Sequence, residues 1–392
     1  GETPLHMAVR TANAISTGAL LQHGAVANSP DLDGNTPLHI ASNSDVIELL
    51  LAEGRANPNI PNASGVVALH FAAQRRDIPA IQHLLKCGAN INMADDTQWF
   101  TALHIIAHPY PQIGFVDAPR PEEITIASRA RVTRLLCDVT EPVSPDLNAE
   151  DHEGNTPLHH AVTLSDDDTR DVLRILLEKG GDPNAVNHRG QTPLHLLCHN
   201  DMLREFDEFQ EMLHNMLFHG ADTNRASSTG CTPLHLALYH RDVDSAVQLV
   251  KSGALLHYEW KKPKRWPAFW DDKGIEETLP LDMVVEEHDL HRILASISKP
   301  QVKAPHRDWC MGCRTTFGRG GANSNHCWRC GRLLCKKCCS KKLALGNTEG
   351  DCLVCRVCEK ITPVVHRKED ESSSTQPTTS FLDEEDSIQR SF

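Results

Sequence analysis

The sequence predicts a mainly α-helical array of stacked repeats, followed by a small module that metal ions hold together. The motif Thr-Pro-Leu-His recurs through most of the chain. Ten of the fourteen cysteines lie between Cys310 and Cys358. A recurring motif indicates a repeat architecture. Dense Cys-x-x-Cys pairs in a chain without a visible secretory signal indicate metal ligation rather than disulfides.

The repeat motif contains residues that start a helix. Threonine caps a helix N-terminus, and proline fits the first helical turn, where its missing N–H group costs nothing. The following leucine and alanine then face neighbouring helices. Clear copies of the motif begin at Thr3, Thr36, Thr156, Thr192 and Thr232. Weaker copies begin at Val67 and Thr101, and a degraded copy begins at Leu279.

The first three spacings between copies are 33, 31 and 34 residues, and the later ones are 55, 36, 40 and 47 residues. A period near 33 with this motif resembles the ankyrin repeat. The resemblance covers residues 1–298 and implies about seven to eight units stacked into a solenoid. The longer spacings predict insertions near residues 108–127 and 255–275. Because the chain begins inside a repeat, we expect it to be truncated at its N-terminus.

The second insertion interleaves aromatic and basic side chains. Its aromatic residues are Tyr258, Trp260, Trp266, Phe269 and Trp270, and its basic residues are Lys261, Lys262, Lys264 and Arg265. Two interpretations stay open: the aromatic side chains cover the end of the array, or they bind a partner.

One histidine recurs at the same position of every motif copy. The set is His6, His39, His70, His104, His159, His195 and His235. Even spacing of this kind could suggest metal binding, but successive members belong to different repeats. The ankyrin resemblance implies instead that each imidazole hydrogen-bonds the backbone between repeats.

The cysteine cluster supplies eight thiolates in four Cys-x-x-Cys pairs. The pairs are Cys310/Cys313, Cys327/Cys330, Cys335/Cys338 and Cys355/Cys358. Two tetrahedral Zn²⁺ ions need four ligands each, so the cluster predicts two zinc ions. A module of this size has too little core to fold alone, and the metal would supply its folding free energy.

The pair spacing, together with Phe317 and the stretch Cys-Gly-Arg-Leu-Leu-Cys at residues 330–335, resembles the FYVE zinc finger. The resemblance implies cross-braced ligation. The first ion would be held by Cys310, Cys313, Cys335 and Cys338. The second would be held by Cys327, Cys330, Cys355 and Cys358. Cys339 and Cys352 are left over, although Cys352-x-x-Cys355 offers a competing last pair.

FYVE zinc fingers recognise phosphatidylinositol 3-phosphate, and the resemblance assigns lipid contacts to His326, Arg329 and Arg332. Other parts of the lipid signature differ here: no Trp-x-x-Asp precedes Cys310, and Leu353 stands before Val354-Cys355 where the family has arginine. The loop at residues 318–322 is glycine-rich and would bury little apolar surface in a bilayer. Attraction of basic side chains to acidic membranes is a weaker form of the same interaction.

Composition excludes several function classes. The formal net charge of −13 argues against nucleic-acid binding by the main body. No apolar stretch is long enough to span a membrane. We also find no nucleophile elbow, phosphate-binding loop or zinc-protease motif, so we predict that the chain is not an enzyme.

The predicted domains are the array at residues 1–298, a linker at 299–307, the zinc finger at 308–360 and a disordered acidic Ser/Thr-rich tail at 361–392. This order resembles the rabankyrin-type proteins that combine ankyrin repeats with a FYVE finger. The resemblance implies a non-enzymatic scaffold that is cytoplasmic and peripheral on endosomes. Its array would bind trafficking proteins, including a Rab GTPase, and its finger would bind endosomal lipid.

Two alternatives remain. One is a cytosolic protein–protein adaptor whose finger does not bind phosphoinositide. The other is a ubiquitin ligase with a RING-like finger, against which stand the all-cysteine ligand set and the four-residue gap between Cys330 and Cys335.

Overall fold

The structure is a computed structural model, and it describes most of the array and four strands of the finger. The described residues are 1–108, 128–140, 143–164, 168–200, 208–256, 260–261, 277–278, 280–284, 287–297, 324–326, 333–335, 341–344 and 351–354. Two compact units are present, Gly1–Val284 and Val285–Phe392. In these ranges no helix has both the length and the apolar character needed to cross a membrane.

The first unit is built from helix pairs, seven of them in the part of the chain that the structure describes. The first helices of the pairs are α1 (Pro4–Arg10), α3 (Pro37–Ile40), α5 (Ala68–Gln74), α7 (Ala102–Ala107), α9 (Pro157–Ala161), α11 (Pro193–His199) and α13 (Pro233–Tyr239). The second helices are α2 (Ala14–Gln22), α4 (Ser44–Ala52), α6 (Ile78–Lys86), α8 (Arg129–Cys137), α10 (Thr169–Glu178), α12 (Glu208–Phe218) and α14 (Val243–Lys251).

The degraded last copy of the motif forms a 3-10 helix, Pro280–Met283, which lies beside α13. Before it, strands β1 (Trp260–Lys261) and β2 (Glu277–Thr278) pair antiparallel and bring the two ends of the second insertion together. The remaining residues of that insertion from 262 onward, and residues 109–127 of the first insertion, lie outside the described residues.

The second unit contains α15 (Glu287–Ala295) and four short strands. Strand β3 (Ser324–His326) pairs antiparallel with β4 (Leu333–Cys335), and β5 (Lys341–Ala344) pairs antiparallel with β6 (Asp351–Val354). The predicted linker and acidic tail lie outside the described residues, so the predicted boundaries at 298, 307 and 360 stay predictions.

The motif starts each first helix as its chemistry predicts. Thr3 has an extended backbone with φ −84° and ψ 162°, accepts a hydrogen bond from the His6 N–H, and precedes Pro4 in the first turn. The extended cap residue and the proline recur at Thr36, Thr156, Thr192 and Thr232, where the threonine N–H donates to Nδ1 of the motif histidine. The leucine that follows is fully buried, as Leu158 and Leu194 illustrate. Such short helices are unstable alone in water and depend on this packing.

The motif histidines connect consecutive repeats, as the sequence predicts. The Thr36 N–H donates to His39 Nδ1 (3.0 Å), so Nε2 carries the proton and donates to the Val66 carbonyl 3.0 Å away. The same bond to the next repeat is made by His6, His104, His159 and His195, whose acceptors are the carbonyls of Asn35, Asn155, Gln191 and Cys231. Each imidazole therefore fixes its own helix start and the next repeat together.

His70 is an exception in its acceptor. Its Nε2 donates to the carbonyl of Met93 instead of the residue before the next motif, Phe100. The loop in front of Thr101 is one residue longer than in the other repeats, which changes the position of the carbonyls offered to His70. In the same repeat Val67 has no hydroxyl, and only its N–H contacts His70 Nδ1.

Asparagines in the loops after the second helices form a second connection between repeats. Asn59 Oδ1 accepts from the Asn90 N–H (2.7 Å), and Asn59 Nδ2 donates to the Gly88 carbonyl (2.9 Å). The acceptor half of this pattern is repeated by Asn28, Asn92, Asn148, Asn184 and Asn224. It bridges the first insertion too, because Asn92 accepts from the N–H of Asp146.

Removing one asparagine should measure this connection. We expect Asn59→Ala to lower the free energy of unfolding by about 2 kcal/mol, because it leaves one backbone N–H and one carbonyl without partners. Asn59→Asp keeps the acceptor and should cost roughly half as much. Urea unfolding followed by circular dichroism checks both values; an unchanged midpoint for Asn59→Ala would contradict the role assigned to Asn59.

Acid should destabilise the array through its buried histidines. Burial lowers the pKa of His70, His104, His159 and His195 from 6.5 to about 4. Unfolded chains therefore take up protons that the folded chain excludes, so stability is complete above pH 6.5 and falls between 6.5 and about 4. Each histidine contributes up to about 3 kcal/mol.

Urea midpoints measured across this pH window test the expectation. The slope should decrease in a His159→Asn variant and stay the same in a control that replaces His23, which is exposed. A midpoint that does not change as the pH falls would show that the motif imidazoles are not buried as neutral groups.

Candidate functional site

A row of hairpin loops, here called the fingers, precedes the first helices. In the described residues the fingers are 31–35, 62–66, 95–100, 151–155, 187–191 and 227–231, each closed by a bond from the N–H of its first residue to the carbonyl of its last. The first side chain caps the turn: Asp31 Oδ1 accepts the N–H groups of Asp33 (2.9 Å) and Asn35 (2.8 Å). The tips are therefore rigid before any partner binds.

Backbone hydrogen bonds also join neighbouring fingers into one edge. The N–H groups of Ala63, Asp96, His152, His188 and Ser228 donate to carbonyls of the preceding finger at 2.9–3.0 Å. Glycine at the fourth position allows this approach. At Gly65 (φ +75°) a Cβ would lie 2.5 Å from the Asp96 nitrogen, too close for any side chain.

The finger at 95–100 departs from this pattern. Trp99 takes the left-handed backbone with φ 60°, and its side chain is 52% exposed. Its ring meets the His152 imidazole of the next finger edge-on, with centroids 5.5 Å apart. Phe100 is buried and stacks on His104 at 5.7 Å. The half-exposed Trp99 ring therefore faces solvent next to the buried Phe100 ring.

The finger at 151–155 contains a buried ion-pair geometry. His160 Nε2 lies 2.7 Å from Asp151 Oδ2, and both side chains are largely buried. Burial alone would raise the pKa of Asp151, but hydrogen bonds from His160 and from backbone N–H groups of Asn155 and Glu153 outweigh it and lower the pKa to about 2. The carboxylate thus stays charged and supports the finger.

Charged side chains at the finger tips are mostly acidic. Asp33, Asp96 and Glu153 are exposed there, and the guanidinium of Arg189 lies 4.0 Å from the Glu153 carboxylate. Among the described residues of the array, no three His, Cys, Asp or Glu side chains lie close enough together to hold a metal ion. This surface has the features of a protein-binding edge.

The predicted zinc ligands fall mostly outside the described residues. Among the eight, Cys335 is the last residue of β4, and Cys310, Cys313, Cys327, Cys330, Cys338, Cys355 and Cys358 have no described position. The strands still constrain them, because Cys327 directly follows β3 and Cys355 directly follows β6 in the chain. Eight soft thiolates in four pairs are a donor set that suits two Zn²⁺ ions.

Of the three predicted lipid contacts, one lies in the described residues and two do not. His326 ends β3 and pairs with Leu333 across the hairpin, whereas Arg329 and Arg332 lie outside the described residues. The backbone of His326 therefore lies beside the start of β4, close in the chain to two cysteine pairs.

Sequence reasoning missed Trp99. A signal was present, because the other fingers have glycine at their fourth position and the finger at 95–100, Asp-Asp-Thr-Gln-Trp-Phe, has none. The left-handed backbone at Trp99 follows from the turn that all fingers share.

Comparison with known proteins identifies both modules. The family model for ankyrin repeats matches residues 1–62 and 165–258, and a second ankyrin-repeat model matches residues 64–96. The model for the FYVE zinc finger matches residues 301–363. FYVE zinc fingers bind two Zn²⁺ ions, in agreement with the eight paired cysteines. Neither module family is catalytic.

Similar proteins share the repeats. The chain is 28% identical to the chicken (Gallus gallus) nuclear factor NF-kappa-B p105 subunit over 41% of its length and 15% of that protein's. It is 29% identical to human (Homo sapiens) NF-kappa-B inhibitor zeta over 47% of its length and 23% of that protein's. The chain thus spans less than a quarter of these relatives.

A solved structure, the ankyrin repeat domain of Bcl-3, is 25% identical to the chain, with a TM-score of 0.48, and is similar to 62% of this chain and 98% of that one. The motif, the helix pairs, the bonds between repeats and the two ankyrin-repeat models all indicate ankyrin repeats. The chain belongs to the ankyrin-repeat proteins and carries a C-terminal FYVE zinc finger.

Proposed function

We propose that the protein is a non-enzymatic adaptor in endosomal membrane trafficking. Its array binds proteins, a Rab GTPase among the candidates, and its FYVE zinc finger associates with membranes that display phosphatidylinositol 3-phosphate. The observation that carries the proposal is the presence of a FYVE finger at residues 301–363 in the same chain as a rigid repeat array. Peripheral attachment by the zinc finger would hold the array at the membrane surface.

The strand register supports cross-braced zinc ligation. In the antiparallel β3–β4 hairpin, Ser324 pairs with Cys335 and His326 with Leu333. Cys335 therefore lies at the end of the hairpin where β3 begins, and His326, which precedes Cys327 in the chain, lies at the other end, about 7 Å away along the strands. Thiolates that share one ion lie within about 4 Å of each other, so this separation favours different ions for the second and third pairs.

The neighbouring strands favour the partner of the second pair. Strand β3 also lies next to β6, and Cys327 and Cys355 follow these two strands directly. This proximity supports the set Cys327, Cys330, Cys355 and Cys358 for one ion. It leaves Cys310, Cys313, Cys335 and Cys338 for the other.

The competing last pair, Cys352-x-x-Cys355, fits the strands poorly. Cys352 lies inside β6 and pairs with Leu343, and the chain is extended through Val354. An extended strand separates Cα atoms two positions apart by about 6.6 Å and carries them in a straight line. A Cys-x-x-Cys ligand pair needs a turn there, so the strand favours Cys355 with Cys358 over Cys352 with Cys355.

The lipid part of the proposal rests on charge as well as on family. Residues 308–360 hold ten Lys and Arg against four Asp and Glu. Each four-thiolate zinc centre adds about two negative charges, so a modest positive charge remains for an acidic surface. Two features favour the alternative, a cytosolic adaptor whose zinc finger binds no phosphoinositide. They are the glycines at 318–322 and the loss of basic residues of the lipid signature, such as the arginine that Leu353 replaces.

Zinc content tests the ligand sets. We expect the purified chain to contain about two zinc ions per molecule, as measured by mass spectrometry of the metal. Cys355→Ser should lose at least one ion, because a three-thiolate site binds zinc more weakly. Cys339→Ser and Cys352→Ser are the matched controls and should retain both. Equal zinc loss in Cys352→Ser and Cys355→Ser would refute the assignment.

Membrane binding tests the function. The full zinc-loaded chain should sediment with neutral liposomes that contain phosphatidylinositol 3-phosphate at physiological salt. His326→Ala should remove most of that binding because it deletes a phosphate contact. A His23→Ala variant in the array is the control. Equal binding to any acidic liposome would mean charge attraction only, and no binding would favour the cytosolic adaptor.

A further inference from the structure

Trp99 occupies a backbone position that suits glycine. The fourth-position glycines of the other described fingers have φ between 69° and 80°, and Trp99 has φ 60°. The other non-glycine residues with positive φ in the described ranges, Ala12, Arg55, Arg76 and Arg241, all come just after helices. A bulky side chain at such an angle is strained, and strain of this kind persists where a side chain is needed for function.

The surrounding finger holds Trp99 in place. Asp95 Oδ1 accepts the N–H groups of Gln98 (3.1 Å) and Phe100 (2.8 Å), and the Thr97 hydroxyl donates to Asp95 Oδ2 at 2.6 Å. Since Phe100 is buried on one side of Trp99, the indole is presented to solvent by a turn that is already ordered. An exposed aromatic anchor that is rigid before binding loses little conformational entropy on binding.

Packing covers only part of the indole. The Trp99 side chain is 52% exposed, and its described aromatic neighbour, His152, meets it edge-on rather than flat. No ring from the described residues lies flat on the indole, and about half of the side chain is exposed to a partner. Glycine would satisfy the turn without strain, as it does in the neighbouring fingers.

The charges beside the indole indicate what binds there. Asp96 belongs to the same finger, and its carboxyl group lies against Gly65 of the preceding finger. Glu153 is exposed on the following finger, which the His152 N–H joins to the Gln98 carbonyl at 2.9 Å. Two exposed carboxylates therefore belong to the fingers joined beside the indole, and the Glu153 carboxylate also lies 4.0 Å from the Arg189 guanidinium. A guanidinium group can stack on an indole while it donates hydrogen bonds to carboxylates, which an ammonium group does less well.

We propose that Trp99, with Asp96 and Glu153, is the binding site for an arginine side chain in a protein partner of the array. This inference rests on the proposed function of the array as a protein-binding surface and names the anchor and the chemistry that it takes. The partner segment runs along the joined finger tips and places its arginine over the indole.

Selection from a random peptide library displayed on phage tests the proposal, with the full chain immobilised. We expect arginine-containing peptides to be enriched on the wild type and lost on Trp99→Gly. A selected peptide should bind Trp99→Gly about tenfold more weakly, and exchange of its arginine for citrulline should have a similar effect. Asp96→Asn with Glu153→Gln should weaken binding and its dependence on salt.

Two controls separate binding from folding. Trp99→Gly should unfold at the same or a higher urea concentration than the wild type, because glycine relieves the strain. Leu32→Ala, which removes another exposed apolar side chain at a finger tip, should leave peptide binding unchanged.

Three results would overturn the inference. They are enriched peptides without arginine, arginine peptides that Trp99→Gly retains, and a Trp99→Gly chain that is less stable than the wild type. In the first two cases the array still binds peptides and its proposed role survives. Enrichment of no peptide at all would contradict that role as well.

Discussion

The bond from a motif histidine to a carbonyl of the next repeat is the interaction on which the array depends. Its helices are short, and none would persist alone in water. His39 uses one ring nitrogen to fix the start of its own helix and the other to hold Val66 of the next repeat. Local structure and stacking are therefore stabilised by the same neutral side chain, and burial keeps it neutral by lowering its pKa.

This arrangement separates the residues that build the array from those that bind. Threonine, leucine, histidine and glycine of the repeat are buried or in turns, and the asparagines after the second helices tie neighbouring repeats. Neighbouring fingers are joined by backbone bonds and, at their bases, by side-chain bonds such as that from Asn62 Nδ2 to Asn35 Oδ1, so most exposed side chains at the tips can vary. A rigid edge with variable side chains suits a protein-binding adaptor, and the zinc finger adds a second module with its own metal-dependent fold.

Much of the array could be predicted from the sequence. The threonine and proline of the five clear motif copies define their helix starts, and the ankyrin resemblance implied the histidine bond between repeats. The different acceptor of His70 could not be predicted, because it depends on a loop that is one residue longer. The exposed position of Trp99 also depends on three-dimensional context, since the neighbouring finger determines which surface is covered.

In the zinc finger, the cysteine pairs predicted two zinc ions, but spacing alone left open which cysteines form the last ligand pair. The extended backbone at Cys352 supports our proposal that Cys355 pairs with Cys358, because a ligand pair requires a turn. The lipid contacts follow from family resemblance rather than from geometry, and their phosphate-binding role depends on convergence of several donors.

Nitrogen-detected NMR of histidine-labelled protein tests the central claim, that neutral motif imidazoles hold the repeats together. At neutral pH His39, His70, His104, His159 and His195 should be neutral with the proton on Nε2, and the last four should titrate near pH 4. Protonation of Nδ1, or titration of these rings at the ordinary pKa of histidine, would contradict the account.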